Sequence, residues 1–451
     1  MLPQPYTITV PEGVLQDLQQ RLEHTRTPHH DVLFFESSFG KDFGQRAAFQ
    51  QNLLEHWKTK YDWRKFESEL NSFPNFTLQI NPETNLHFLH LRCTGSPAGG
   101  AVPLLLVHGW PGSVWEFHHL LPLLQDKFHL VVPSLPGYGW STTKADKMNV
   151  EAVGHLFHEL MLVLGYDQYV AQGGDWGSLV IREIAFHHPK HCVGMHSNMP
   201  VFIPTPTRVA WLSPILALDW LLPRRQFSQF EQEQLARTKH YVKTGAAYML
   251  MNASKPHTLG FGLHDSPAGL LAYISEKIAL WSDPKSSLSE DEILTNVMIY
   301  WVTGSITSSL RLYYESLPFG KDTPGFKSKV DRIDVPCGLA LFSKEAIAFP
   351  QKWLRQTHNV VQATEFAEGG HFAAWEQPNA LAKDIEKFAF VSAGGFAKAC
   401  QLGKKRKQQP SKGGLTWRDM LCSKPAAIWW TLFALLFALL AKLVSDVITL
   451  A

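Results

Sequence analysis

The sequence predicts an α/β fold, a mostly parallel sheet covered by helices, with a helical insertion near its middle and an extension at its N-terminus. Three observations carry this. From residue 101, apolar runs alternate with helix-length segments: "AVPLLLVHGW", "FHLVVPSLPGYGWS", "YVAQGGDWG" and "HCVGMHSNMP" read as strands, and residues 150–164 as one of the helices between them. Strands separated by helices need crossover connections, and so a parallel sheet buried on both faces. The pattern stops at about residue 201, gives way to helical sequence rich in Trp, Leu and Tyr, and returns after residue 325 with "VPCGLALFSKE", "VVQATEFAEGGHF" and a closing helix, "NALAKDIEKFAF". The third observation is "GGDWGS" at 173–178, which joins a strand-like run to a helix-like one.

The divisions run in chain order. Residues 1–95 form the extension: Val14, Leu15, Leu18 and Leu22 recur at helical spacing behind Pro11 and Glu12, which suit a first turn. "FTLQINPETNLHFLHLRC" then reads as two strands around a turn. The first half of the core spans 96–200, a helical lid 201–325 and the second half 326–395. A basic linker at 396–425 leads to a hydrophobic segment at 426–451.

Composition limits the function. Of 451 residues, 45% are apolar, enough for a full core. The net charge is +2, but residues 396–451 hold nine Lys/Arg against two Asp/Glu, which leaves the rest near −5 and gives no support to nucleic-acid binding. Five scattered cysteines without a C-x-x-C pair suit free thiols in a reducing compartment. "MLPQPYTITVPEGV" lacks an apolar signal core, so no cleaved secretory signal is expected.

The end of the chain predicts membrane attachment. "AAIWWTLFALLFALLA" is free of charge from Ala426 to Ala441, about two residues short of a usual spanning helix, and apolar residues resume after Lys442. Trp429 and Trp430 suit an aromatic belt, and the preceding basic cluster places the main domain on the cytosolic side, with the endoplasmic reticulum as the expected membrane.

The chemistry starts at "GGDWGS". Small residues flank the central position, as in the strand-to-helix elbow on which α/β-hydrolases mount a nucleophile, normally serine. Here it is Asp175. Serine opening an sp³ carbon electrophile would leave an ether that water does not readily cleave. A carboxylate leaves an alkyl ester, which an activated water hydrolyses at the aspartyl carbonyl. An aspartate elbow therefore predicts an epoxide or alkyl halide substrate. Chain order for this fold is nucleophile, acid, histidine, and Glu345 in "LFSKEAIAF" and His371 in "EGGHFAAWE" each follow a predicted strand. His371 would be the general base and Glu345 its partner. The oxyanion of ester hydrolysis needs two backbone N–H groups, assigned to Trp176 and to Trp110 in "HGWPGS". His155 and His158 share a helix face but show no third ligand, and the pairs His118-His119 and His187-His188 read as structural, so no metal and no cofactor is expected.

"HGWPGSVWEF", "PSLPGYGWS", "GGDWGS", "DSPAGLLAYISEK" and "GGHFAAWEQP" resemble the microsomal-type epoxide hydrolases, including insect juvenile-hormone epoxide hydrolases, over residues 1–395. "TITVPEGVLQDLQQRLEHTRTP" resembles that family's N-terminal domain. The resemblance implies an α/β-hydrolase fold, hydration of a lipophilic epoxide to a vicinal diol, and a role such as detoxification or aromatic hydrocarbon catabolism. It also implies two lid tyrosines that polarise the epoxide oxygen: Tyr248 in "GAAYMLMNASKP" and Tyr313 in "SSLRLYYESLP", with Tyr314 as the adjacent competitor. Membrane-bound members typically carry an N-terminal anchor, whereas this chain has its apolar segment at the C-terminus. Trp281, Trp301 and Phe319 suggest bulky apolar substrates. The rival readings are a haloalkane dehalogenase, a serine esterase using Ser178, and a non-catalytic membrane-tethered binding protein.

Overall fold

The computed structural model describes residues 2–26, 44–97, 100–203, 227–286, 288–317, 330 and 332–392. The predicted basic linker and hydrophobic segment lie outside them, as does Phe319. Met1–Gly403 and Lys404–Ala451 are separate units, and the described sheet and helices belong to the first. Among the described residues, no helix is long and apolar enough to cross a membrane.

The extension runs β1 (Gln4–Pro5), α1 (Glu12–Glu23), α2 (Ala47–Thr59), α3 (Trp63–Ser72), β2 (Asn75–Asn81) and β3 (Thr84–Leu91). The first half of the core comprises β4 (Val102–Val107), α4 (Leu120–Leu124), β5 (Phe128–Pro133), β6 (Thr142–Thr143), α5 (Val150–Val163), β7 (Tyr169–Gly173), α6 (Asp175–His187) and β8 (Cys192–Ser197). The lid contributes α7 (Gln229–Thr244), α8 (Ala247–Ser254), α9 (Pro256–Asp265), α10 (Pro267–Trp281), α11 (Glu290–Thr303) and α12 (Ile306–Ser316). The core resumes with β9 (Ile333–Phe342), α13 (Gln351–Thr357), β10 (His358–Phe366), α14 (Ala373–Glu376) and α15 (Pro378–Lys387).

The strand order is β1-β2-β3-β5-β4-β7-β8-β9-β10, with β6 beside β3. From β5 to β10 every pairing is parallel, and β1, β2, β3 and β6 pair antiparallel. The central strands are continuous apolar runs because both faces are covered: Leu104, Leu105, Leu106 and Val107 are all fully buried. Each such side chain contributes about 1.5–3 kcal/mol relative to exposure. The extension thus completes the sheet edge with its strands and does not merely wrap the core.

Local signals set the helix ends. Asn149 caps α5 by accepting from the Ala152 N–H. Ser289 and Glu292 form a reciprocal capping box on α11, which Gly304 ends in the left-handed region at φ 62°. The helices of the extension hold the lid: Arg21 pairs with Asp265 at 2.8 Å, His56 with Asp291 at 2.7 Å, and Tyr61 bonds Thr295 at 3.0 Å. Trp301 belongs to this seam, with Arg21 over its ring at 6.0 Å.

The first turn of α6 passes very close to the carboxyl ends of β4 and β7. A Cβ on Gly177 would lie 2.0 Å from the Val107 carbonyl oxygen, and one on Gly173 would lie 2.6 Å from the Gly177 carbonyl carbon. Both obstacles are backbone, which cannot swing aside. Gly177→Ala is therefore expected to cost about 3 kcal/mol or more, read as a lower thermal unfolding midpoint or loss of soluble protein. A midpoint equal to that of the wild type would show that α6 and β4 have room to part.

Candidate active site

Asp175 sits where β7 turns into α6, and it is the one non-glycine residue with positive φ, 48°, among those described. That left-handed conformation is costly for a side chain with a Cβ, so the surroundings must impose it. The turn lifts the carboxylate off the sheet toward the loop after β4. There the Trp110 N–H donates to Asp175 Oδ1 at 2.7 Å. Gly109 leaves the space, since its Cβ would come within 2.3 Å of the carboxylate. Trp176 is the second residue of α6, whose N–H has no intrahelical acceptor. Of the two predicted oxyanion donors, Trp110 is bonded directly to the carboxylate, and the Trp176 N–H is left free of the helix ladder beside it in sequence.

His371 lies in the loop after β10 and Glu345 in the turn after β9. Glu345 Oε1 bonds His371 Nδ1 at 2.7 Å. His371 Nε2 stands 3.3 Å from Asp175 Oδ2, an ion-pair distance, without the alignment of a hydrogen bond. Burial alone would depress the imidazole. The Glu345 charge and the contacts with Asp175 and Glu345 outweigh it and hold His371 well above its usual 6.5.

The loop carrying His371 is held by a carboxylate missed in the sequence. Glu376 accepts from the Gly370, Phe372 and Asp283 N–H groups and from Ser286 Oγ, at 2.6–3.0 Å. Asp283 in turn accepts from the Gly369 N–H at 2.8 Å, and the His371 N–H donates to the Trp281 carbonyl at 3.0 Å. The loop is thereby stitched to the segment after α10.

On the lid side, Tyr248 stacks on Trp110 with ring centroids 5.4 Å apart. Tyr313 meets Trp110 and Trp176 edge-on at 5.6 and 4.7 Å, and the two tyrosine rings are 5.9 Å apart. Tyr313 is 1% exposed, whereas its neighbour Tyr314 is only partly buried, so helix phase turns Tyr313 toward the site. Burial first, then nearby Tyr and Asp175 groups, raise both phenols well above 10, so both remain protonated donors. Two more lid residues join them. Tyr241 donates to the Tyr248 hydroxyl at 3.2 Å, and the buried Lys277 ammonium lies 4.2 Å from the Tyr273 ring centre and 5.2 Å from that of Tyr248. Trp281 packs edge-on against His371 at 5.1 Å.

A small cavity, with room for about one water, opens beside the carboxylate. Gly109, Glu116, Asp175, Asn198, His371 and Phe372 line it. Glu116 and Asn198 were not singled out in the sequence. Asn198 directly follows β8, which was its only signal, and Glu116, nine residues beyond the end of β4, gave none.

Ser178 is fully buried and donates to the Met199 carbonyl at 2.6 Å, which removes the serine esterase reading. For the histidine pairs, the structure supplies donors that the sequence did not show. Glu151 and His187 approach His155, and Glu292 approaches His118 and His119, with ligating atoms within 4.8 Å of one another. His158 instead bonds the Tyr169 hydroxyl at 2.9 Å. Neither group borders the cavity.

Comparison with known proteins gives a consistent picture. The family model described as "Epoxide hydrolase N terminus" matches residues 3–117, and the "alpha/beta hydrolase fold" model matches 102–257. The chain is 34% identical over 417 residues to epoxide hydrolase 1 of Sus scrofa, spanning 85% of this chain and 88% of that one. The crystal structure of juvenile hormone epoxide hydrolase from Bombyx mori superposes with a TM-score of 0.77 at 32% identity, covering 88% of this chain and 95% of that one. The structure of the Aspergillus niger epoxide hydrolase gives 0.74 at 31%, covering 86% and 96%.

The raised His371 has a sign that can be tested. A group whose folded value exceeds its unfolded one stabilises fully below the unfolded pKa and loses that contribution as pH rises through the folded value. The unfolding-midpoint difference between wild type and His371→Gln should therefore shrink as pH rises above the unfolded value of about 6.5 and through the raised folded one. A difference that grows over this range would mean that His371 is held neutral in the folded protein.

Proposed function

This chain belongs to the epoxide hydrolase family and is an enzyme that hydrates epoxides, and on that premise we propose how its residues divide the reaction. Asp175 Oδ2 attacks an epoxide carbon, the carbon–oxygen bond opens, and Tyr248 and Tyr313 donate to the departing oxygen. The product of this half is a hydroxyalkyl ester of Asp175. Water activated by His371 then attacks the ester carbonyl, with the oxyanion held by the Trp110 and Trp176 N–H groups. The ester bond breaks, the diol leaves, and the carboxylate is restored with an oxygen from water.

The observation that carries this reading is the single file of Glu345, His371 and Asp175, at 2.7 and 3.3 Å, ending at the Trp110 N–H. The proton count closes along it. The imidazolium of the resting site is the ultimate source of the proton gained by the epoxide oxygen. Ester formation removes the Asp175 charge that helped hold His371 protonated, so the base becomes neutral when it is required. Hydrolysis returns the proton. The lid tyrosine pair favours an epoxide over an alkyl halide, because phenols stabilise a developing alkoxide without a metal. The aromatic surroundings, Trp110, Trp281, Tyr248 and Tyr313, favour a lipophilic substrate.

Diol formation from aryl and fatty epoxides should fall about 10⁴-fold in Asp175→Ala. Tyr313→Phe should lose roughly tenfold to a hundredfold and Tyr314→Phe should stay near wild type. Diol turnover that survives Asp175→Ala would sink the mechanism.

We further propose that residues 426–451 attach the enzyme to a membrane with the catalytic unit on the cytosolic side, supported by the charge-free run from Ala426 to Ala441 and the basic residues before it. In vesicle flotation the full chain should rise with the lipid and a chain ending at residue 400 should not. Equal partitioning would exclude the anchor.

A further inference from the structure

Two polar groups face the cavity beside Asp175 without a protein hydrogen-bond partner among the described residues. One is His371 Nε2. The other is the Glu116 carboxyl, which lines the same cavity and is enclosed by protein although partly exposed by area. Glu116 is held there by its backbone. It lies in the short 3₁₀ turn Val114–Phe117, capped by Ser113, and its N–H bonds the Ser113 carbonyl at 3.1 Å. The turn is tied to lid helix α11: Asn296 donates to the Pro111 carbonyl and Tyr300 to the Gly112 carbonyl, each at 2.7 Å. The carboxyl folds back over Gly112, where a Cβ would lie 1.2 Å from Glu116 Oε1. Only a glycine at 112 leaves the carboxyl its place.

We propose that Glu116 is the positioning residue for the hydrolytic water: together with His371 Nε2 it holds one water molecule beside the Asp175 carboxyl carbon, in a cavity that no lid residue lines. The proposal rests on the reading that Asp175 forms an alkyl ester. A water in this cavity donates one hydrogen to His371 Nε2 and the other to the carbonyl oxygen of Glu116. Its lone pair is then free for the Asp175 carbonyl carbon, and the proton it loses goes to His371. The epoxide is received among the lid tyrosines, so the two substrates of the reaction occupy separate places. The protonation state fits the role. Burial, opposed by His371 and reinforced by Asp175, pushes Glu116 up to about 8, and Tyr300 is the other titratable group that senses it. At neutral pH the group is uncharged. It accepts from water without competing with His371 as a base and without repelling the Asp175 carboxylate. Above about pH 8 it ionises and places an anion beside the forming oxyanion.

The test separates the two halves of the reaction in the full-length protein with an aryl epoxide. Rapid-mixing tryptophan fluorescence follows ester formation and decay, and intact mass of the acid-quenched protein measures the alkyl-enzyme. Glu116→Leu should form the ester at nearly the wild-type rate and hydrolyse it about a hundredfold more slowly. The alkyl-enzyme then accumulates, and kcat and KM fall together. Glu116→Gln keeps the carbonyl acceptor and should recover most of the hydrolysis rate, without the decline expected of the wild type above about pH 8. Gly112→Ala, which displaces the carboxyl while leaving the residue in place, should reproduce the Glu116→Leu defect with little change in unfolding midpoint. Wild-type hydrolysis in Glu116→Leu, or equal slowing of both halves that Glu116→Gln does not relieve, would overturn the proposal. If no alkyl-enzyme forms even in the wild type, the Asp175 reading fails first and takes the proposal with it.

Discussion

Everything in the site hangs on one backbone conformation, the left-handed turn at Asp175. A residue with a Cβ adopts φ 48° only where its surroundings leave no alternative. Here the alternative is closed by contact: Gly173 and Gly177 let the strand, the helix and the neighbouring strand approach to distances that no side chain survives. The same crowding drives the carboxylate onto the Trp110 N–H and within reach of His371. The places of the proposed nucleophile, its oxyanion donor Trp110 and its base are thus consequences of a single steric constraint, not three separate placements.

The electrostatics arise from concentrating carboxyl groups around one imidazole. Asp175 and Glu345 both touch His371, and Glu116 shares its cavity. Three anions with a single cation would be unfavourable in so dry a place. The arrangement resolves this by leaving Glu116 protonated while His371 carries the charge. In the proposed reaction Asp175 becomes an ester, the balance changes by one charge, and His371 is the group best placed to respond.

How much of this was legible in the sequence depended on how local the signal was. The elbow declares itself within six residues, and the parallel sheet within each apolar run. Glu345 and His371 could be found because strands of this fold bring their carboxyl ends to one side, so position after a strand substitutes for three-dimensional knowledge. Tyr313 and Tyr314 could not be separated by adjacency alone, since the phase of α12 decides which one turns inward. Glu116 gave no signal. Its carboxyl reaches the cavity only because a short turn reverses the chain over Gly112, and no periodic pattern encodes that. The grip of α1 and α2 on the lid was equally hidden, because Arg21 with Asp265 and His56 with Asp291 join residues more than two hundred positions apart.

The four hydrogen bonds gathered by Glu376 bear on how such an enzyme diversifies. They fasten the loop of His371 to residues at the far end of α10. A chimera that exchanges lids between relatives to change substrate range would cut across this knot unless the graft carried Asp283 and Ser286 in register with the recipient's Glu376. Substrate range and base alignment are in this sense inherited together. The freedom to vary one without the other lies farther along the lid, in helices that never touch the knot.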